Sequence, residues 1–111
     1  MARTAAPLAR SLPHGNCVAT DSITLDGHPV GIMYRDEPED PRDSGWRFTA
    51  GFETVEYVDD SDNCGVYDLG TIARHDPAIL PFLDAPAGSA FERDEASGTF
   101  LPIQIVFSDD N

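Results

Sequence analysis

The chain has 111 residues, a length that fits one domain and one hydrophobic core without covalent staples. Twenty acids stand against seven arginines and no lysine, a formal charge of −13, which repels nucleic acid and anionic membranes and speeds encounter with basic partners. Cys17 and Cys64 lie 47 residues apart with no CxxC, so zinc spacing is absent and one disulfide is allowed but not required.

The charge is uneven. Residues 1–35 sum to +1, residues 36–62 carry ten acids and two arginines for −8, and residues 63–111 sum to −6. More than half of the net charge thus falls in about a quarter of the chain.

The opening "MARTAAPLARSLPHG" lacks the continuous apolar core of a secretory signal. Residues 1–15 read as a flexible leader, 16–108 as a single domain and 109–111 as a tail. No stretch approaches the roughly 20 apolar residues that span a bilayer, and the expected location is cytoplasmic.

"CVATDSITLDGHPVGIMYR" is rich in Val, Ile, Thr and Leu. It predicts strands near 17–20, 22–25 and 29–35, with Asp26-Gly27 as a hairpin turn. In the third strand Ile32 and Tyr34 share one face and Met33 and Arg35 the other. "DEPEDPRD" (36–43) is a loop, because Pro38 and Pro41 forbid a regular ladder. "GWRFTAG" resumes a strand with Trp46 and Phe48 on one side and Arg47 on the other. Phe52, Val55 and Val58 are spaced three apart and predict a short helix, which "DDSDNCG" breaks.

Asp68 is the expected N-cap of a helix that puts Leu69, Ile72 and Ala73 on one side. Asp76 caps a second, with Pro77 at its first position and Pro81 inside, so this one should be short or 3₁₀. "SAFERDEASGTFLPIQIVF" reads as a hairpin around Ala96-Ser97-Gly98, with Leu101, Ile103, Ile105 and Phe107 facing inward. Strands, then short helices, then strands again predict an α+β domain with a mainly antiparallel sheet.

The motifs that carry chemistry are weak. With Asp60 at position one of a calcium loop, Asp62 and Gly65 fall correctly. Cys64 then stands at position five and Thr71 at twelve, where a bidentate Glu is needed. His14, His28 and His75 are scattered. Neither Asp43-Ser44-Gly45 nor Gly88-Ser89-Ala90 is a nucleophile elbow, and both suit turns. No phosphate loop exists, and no cofactor is implied. Paired carboxylates in 36–43 and 59–62 could serve a metal-dependent hydrolase, but general acid–base work needs one of them desolvated, and proline-broken polar loops stay solvated.

Binding has more support. Asp36, Glu37, Glu39, Asp40 and Asp43 in one loop and Asp59, Asp60 and Asp62 in the other form candidate charged contacts. Trp46, Arg47 and Tyr57 are nearby anchor types. Trp46 reads either as an anchor or as core, and burial is the usual fate of such a side chain.

"VGIMYRDEP" (30–38), "DSGWRF" (43–48), "EYVDD" and "YDLGTIARHDPAILPFLDAPAGSAFER" (67–93) together resemble a bacterial family first catalogued as a domain of unknown function, immunity protein thirty-three of polymorphic toxin systems. The resemblance implies a compact α+β cytoplasmic protein, without chemistry of its own, that binds and neutralises a cognate toxin. The matching positions are Tyr34, Arg35, Glu37, Asp43, Ser44, Gly45, Trp46, Arg47, Glu92 and Arg93, with no catalytic roles to carry over. The leader and the end past Ile103 lie outside it. A housekeeping accessory domain with a different partner is the remaining reading.

Overall fold

The computed structural model describes residues 15–104. Residues 1–14 of the expected leader 1–15, the tail 109–111 and the positions Ile105 and Phe107 lie outside these. Six strands, β1 (Asn16–Thr20), β2 (Ile32–Arg35), β3 (Asp43–Thr49), β4 (Cys64–Asp68), β5 (Ala90–Arg93) and β6 (Phe100–Pro102), form one sheet in the order β4-β1-β3-β2-β5-β6. Every junction is antiparallel except β1·β3, which is parallel. Three short α-helices, α1 (Asp21–Thr24), α2 (Val55–Asp59) and α3 (Leu69–His75), and 3₁₀ turns at Ser61–Asn63 and Pro77–Phe82 complete an α+β domain.

Alternation along the strands decides the two faces. Ala19, Phe48, Met33 and Phe91 stand opposite one another across β1, β3, β2 and β5 and point into the core. Leu69, Ile72 and Ala73 of α3, with Ile79 of the following 3₁₀ turn, close over that face. The expected caps hold the ends. The Asp68 carboxylate accepts from the Gly70 amide at 3.0 Å, and Asp76 accepts from Ala78 at 3.3 Å with Pro77 at the first position. Trp46 is fully buried, stacks near Phe48 with ring centroids 6.2 Å apart, and donates its indole N–H to the Leu83 carbonyl at 3.1 Å. Of the two roles open to Trp46, the structure assigns core.

Several expectations are corrected. Residues 22–25 are not a strand; α1 occupies Asp21–Thr24 and buries Ser22 and Ile23. Asp26-Gly27 is accordingly not a hairpin turn. Gly27 at φ +84° ends α1, with the Gly27 and His28 amides donating to the Ile23 and Ser22 carbonyls at 3.1 Å, the role glycine plays at helix C-termini. Strand β2 begins at Ile32 rather than 29. Residues read as the end of a breaking loop form β4, which pairs along its whole length with β1.

The last hairpin forms as expected, but its inward face is reversed. Arg93 stands opposite Phe100 and Glu92 opposite Leu101, so Phe100 is buried while Leu101 is half exposed. Phe100 meets Phe82 and lies under the Arg93 guanidinium. Helix α2 forms, capped by the Thr54 hydroxyl, yet Phe52 and Val55 remain exposed; the spacing that marks the helix does not mark a buried face.

The cysteine register settles the disulfide. Cys17 stands opposite Tyr67 and Cys64 opposite Thr20, which places the two on opposite faces, about 10 Å apart along the strands. Both thiols are free.

Candidate functional site

The loop 36–42 joins antiparallel neighbours β2 and β3, with Arg35 opposite Trp46. Its closure depends on Gly45 at φ +89°, where a Cβ would come within 2.3 Å of the Asp36 carbonyl. Three carboxylates shape the loop from within. Asp36 accepts from the Glu37 amide at 2.9 Å, Asp40 from Arg42 at 2.8 Å, and Asp43 from Glu39 and Gly45, each at 2.9 Å. The Asp40–Arg42 and Asp43–Gly45 bonds are the Asx turns that short acidic side chains make in preference to regular structure.

Asp43 also receives both terminal nitrogens of Arg47 at 2.9 Å. The bond from Arg47 is the main reason its carboxyl lies far below the usual carboxylate range; it outweighs the cost of burial, and the Glu39 and Gly45 amides assist it. Arg35 is committed too. It donates to the Ser44 carbonyl at 2.9 Å and to the Ala85 carbonyl at 2.8 Å, and lies over the Trp46 ring. The "DSGWRF" stretch is thus explained by folding: a bidentate pair, a turn, a left-handed glycine and a core tryptophan.

Asp36, Glu37, Glu39 and Asp40 remain exposed, as do Asp59, Asp60 and Asp62. Among the described residues the two salt bridges are Arg47–Asp43 and Arg93–Asp76, and neither uses these seven acids. Asp60 caps the 3₁₀ turn through the Asp62 amide at 3.0 Å. Tyr57 is half-buried, its hydroxyl accepting from Ser22 at 3.4 Å.

The two acidic loops are not brought into one cluster. The first meets the start of β1, where Asn16 stands opposite Asp43, and the second meets its end, where Thr20 stands opposite Cys64. Four residue steps, about 13 Å of strand, separate these two points on β1. Among the described residues no group of three or more His, Cys, Asp or Glu side chains could hold a metal ion.

Both loops do flank the same outward face of the sheet. Val66, Val18, Arg47 and Tyr34 form a row across β4, β1, β3 and β2 on that face. Burial raises the Tyr34 phenol above its ordinary pKa; Arg47 opposes this, and the charges of Asp36 from one loop and Asp59 from the other add to it. A depression of about 170 Å³ beside the row is lined in part by Val18, Val66, Glu39 and Asp40. The sequence reading missed Val66 and Val18. Val66 follows "DDSDNCG", whose turn composition hides the strand, and the Val66-Tyr67 pair of β-formers was the one available signal.

Two further residues hold the frame. Glu53 accepts from the Thr20 hydroxyl at 2.7 Å and from the Ala50 and Gly51 amides at 2.9 and 2.8 Å. Burial works against its ionisation, but these bonds prevail and lower its pKa. Asp76 binds Arg93 and the Val30 amide, while Arg93 Nε donates to the Val30 carbonyl at 2.9 Å. Arg93, another position of the resemblance, is therefore also internally engaged.

No helix among the described residues is long and apolar enough to cross a membrane. Neither a curated protein nor a solved structure matches the chain. The family described as the Immunity protein Imm33 domain matches residues 17–104, nearly all of the described domain, and the chain belongs to that family.

Proposed function

We propose that the protein is a non-catalytic immunity protein that acts in the cytoplasm by binding a cognate toxin and covering a basic surface of it. Family membership supports the toxin-neutralising role. One structural observation carries the acidic contact: seven exposed carboxylates in two loops, outside both salt bridges, flank a single sheet face. Their field favours a cationic partner and fast encounter. The contacting groups are Asp36, Glu37, Glu39, Asp40, Asp59, Asp60 and Asp62. Asp43, Trp46 and Arg47 act by holding the loop and the core, and Tyr57 borders the second loop.

The test uses the toxin domain of any large secreted reading frame encoded beside this gene. Co-expression should protect cells from that domain, and the purified proteins should bind at micromolar concentration or tighter. The on-rate should fall markedly between low and physiological ionic strength, and Glu37→Lys with Asp40→Lys should slow it further. Absence of both protection and binding refutes the role; a salt-independent on-rate refutes the acidic contact alone.

A further inference from the structure

We propose that β4 is a docking edge that takes an extended, basic segment of a partner protein by strand addition; this deepens the proposed function and rests on it. The ladder fixes which backbone groups are free, since hydrogen-bonded and non-hydrogen-bonded pairs alternate between antiparallel strands. The Leu69 amide donates to the Gly15 carbonyl at 2.8 Å, and the register places Tyr67 opposite Cys17 and Gly65 opposite Ala19. Odd-numbered residues of β4 therefore turn their amides and carbonyls toward β1. In agreement, the Asn16 amide turns away from β4 to the Arg42 carbonyl at 2.7 Å, and the Cys64 amide bonds the Ser61 carbonyl. Both polar backbone groups of Val66 and the amide of Asp68 point out of the sheet.

No other strand among the described residues lies on that side. The opposite edge, β6, ends in Pro102, whose missing N–H blunts it. Among the described residues nothing comparable protects β4: Val66 is 70% exposed, an apolar side chain beside outward-facing backbone groups. Such an edge is a template for strand pairing.

Charge selects the occupant. Asp60 and Asp62 are exposed just before β4, Asp68 is exposed at its end, and Glu39 and Asp40 line the depression beside Val66. A second copy carries the same −13 charge and the same acids to this edge, so self-pairing is opposed. An extended segment with an apolar side chain beside Val66 and basic side chains on either side satisfies both the ladder and the field.

The experiment measures binding of the adjacent-gene toxin domain to the full-length protein and to Val66→Pro. Proline there removes the outward amide and leaves the pairing with β1 intact. Circular dichroism and urea unfolding check that the variant folds. The expected result is at least tenfold weaker binding, with protection of the wild-type Val66 and Asp68 amides from hydrogen exchange in the complex. If Val66→Pro is unfolded, the exchange data decide alone. Binding within twofold of wild type, or unchanged exchange at both amides, overturns strand addition while leaving the immunity role standing. A toxin domain that does not bind wild type overturns both. A free-chain dimer in sedimentation that Val66→Pro abolishes assigns the edge to a second copy and also overturns the proposal.

Discussion

Removing the Asp76 carboxylate should cost more stability than any other single carboxylate loss in the described domain. Its side chain is 11% exposed, and that of Arg93 is 21% exposed. One oxygen of Asp76 receives Arg93 and the Val30 amide at 2.9 Å, while the other caps the 3₁₀ turn through Ala78. Arg93 in turn reaches the Val30 and Gly98 carbonyls and lies 4.7 Å from the Phe100 ring centroid. One pair thus ties the segment before β2, the turn after α3 and the β5–β6 hairpin together. In Asp76→Ala the lost cap is worth about 1 kcal/mol. The unpaired buried amide costs about 1–3 kcal/mol, and a stranded partner in a fully buried pair costs about 3–5 kcal/mol. These overlap, because the amide and Arg93 share one oxygen and Arg93 keeps some solvent. A total of about 3–5 kcal/mol is expected, a large part of the 5–15 kcal/mol typical of a domain.

Urea unfolding followed through the fluorescence of Trp46, the chain's one tryptophan and fully buried, reads this directly from the midpoint at constant slope. A double-mutant cycle with Arg93→Met should give a coupling above about 1 kcal/mol, reduced only in part by added salt because most of the pair is withdrawn from solvent. A loss below about 1 kcal/mol for Asp76→Ala, or no coupling in the cycle, would show that the pair is incidental to the fold.

Three other outcomes are expected. Because Arg47 holds the folded Asp43 pKa below its unfolded value, this group adds stability that is present above about pH 4 and lost as pH falls through the folded value. Asp43→Asn should therefore flatten the decline in urea midpoint between pH 6 and pH 3, and parallel curves would count against the pair. Burial pushes the Cys17 thiol up to about 12 and raises that of Cys64, so neither should react rapidly with a disulfide reagent at pH 8 until the protein is unfolded; fast labelling of Cys17 in the native protein contradicts its packing. Glu53→Ala should cost about 2 kcal/mol by orphaning the Thr20 hydroxyl and two amides, and Thr20→Val clearly less, since it removes one donor and no acceptor; equal costs would place the effect elsewhere.

The sequence by itself determined whatever depends on neighbours a few residues away. Asp68 and Asp76-Pro77 announced their helices because a cap acts on amides two or three residues on. Trp46 and Phe48 announced one face of β3 because strand side chains alternate, and the prolines of 36–43 announced a loop. Family membership was legible in the same local motifs. Tertiary structure decided the rest. Ile23 and Thr24 are strand formers, but Asp21–Thr24 is one helical turn, too short for a period to show. Whether Leu101 or Phe100 turns inward was set by the register with β5, since a one-residue slip exchanges the faces of a strand. The internal commitment of Arg35, Arg47 and Arg93 depends on where carbonyls and carboxylates from other elements arrive. The candidate surface itself exists only after β4 pairs with β1, which sets the two acidic loops at opposite ends of one strand and leaves the Val66 backbone facing outward.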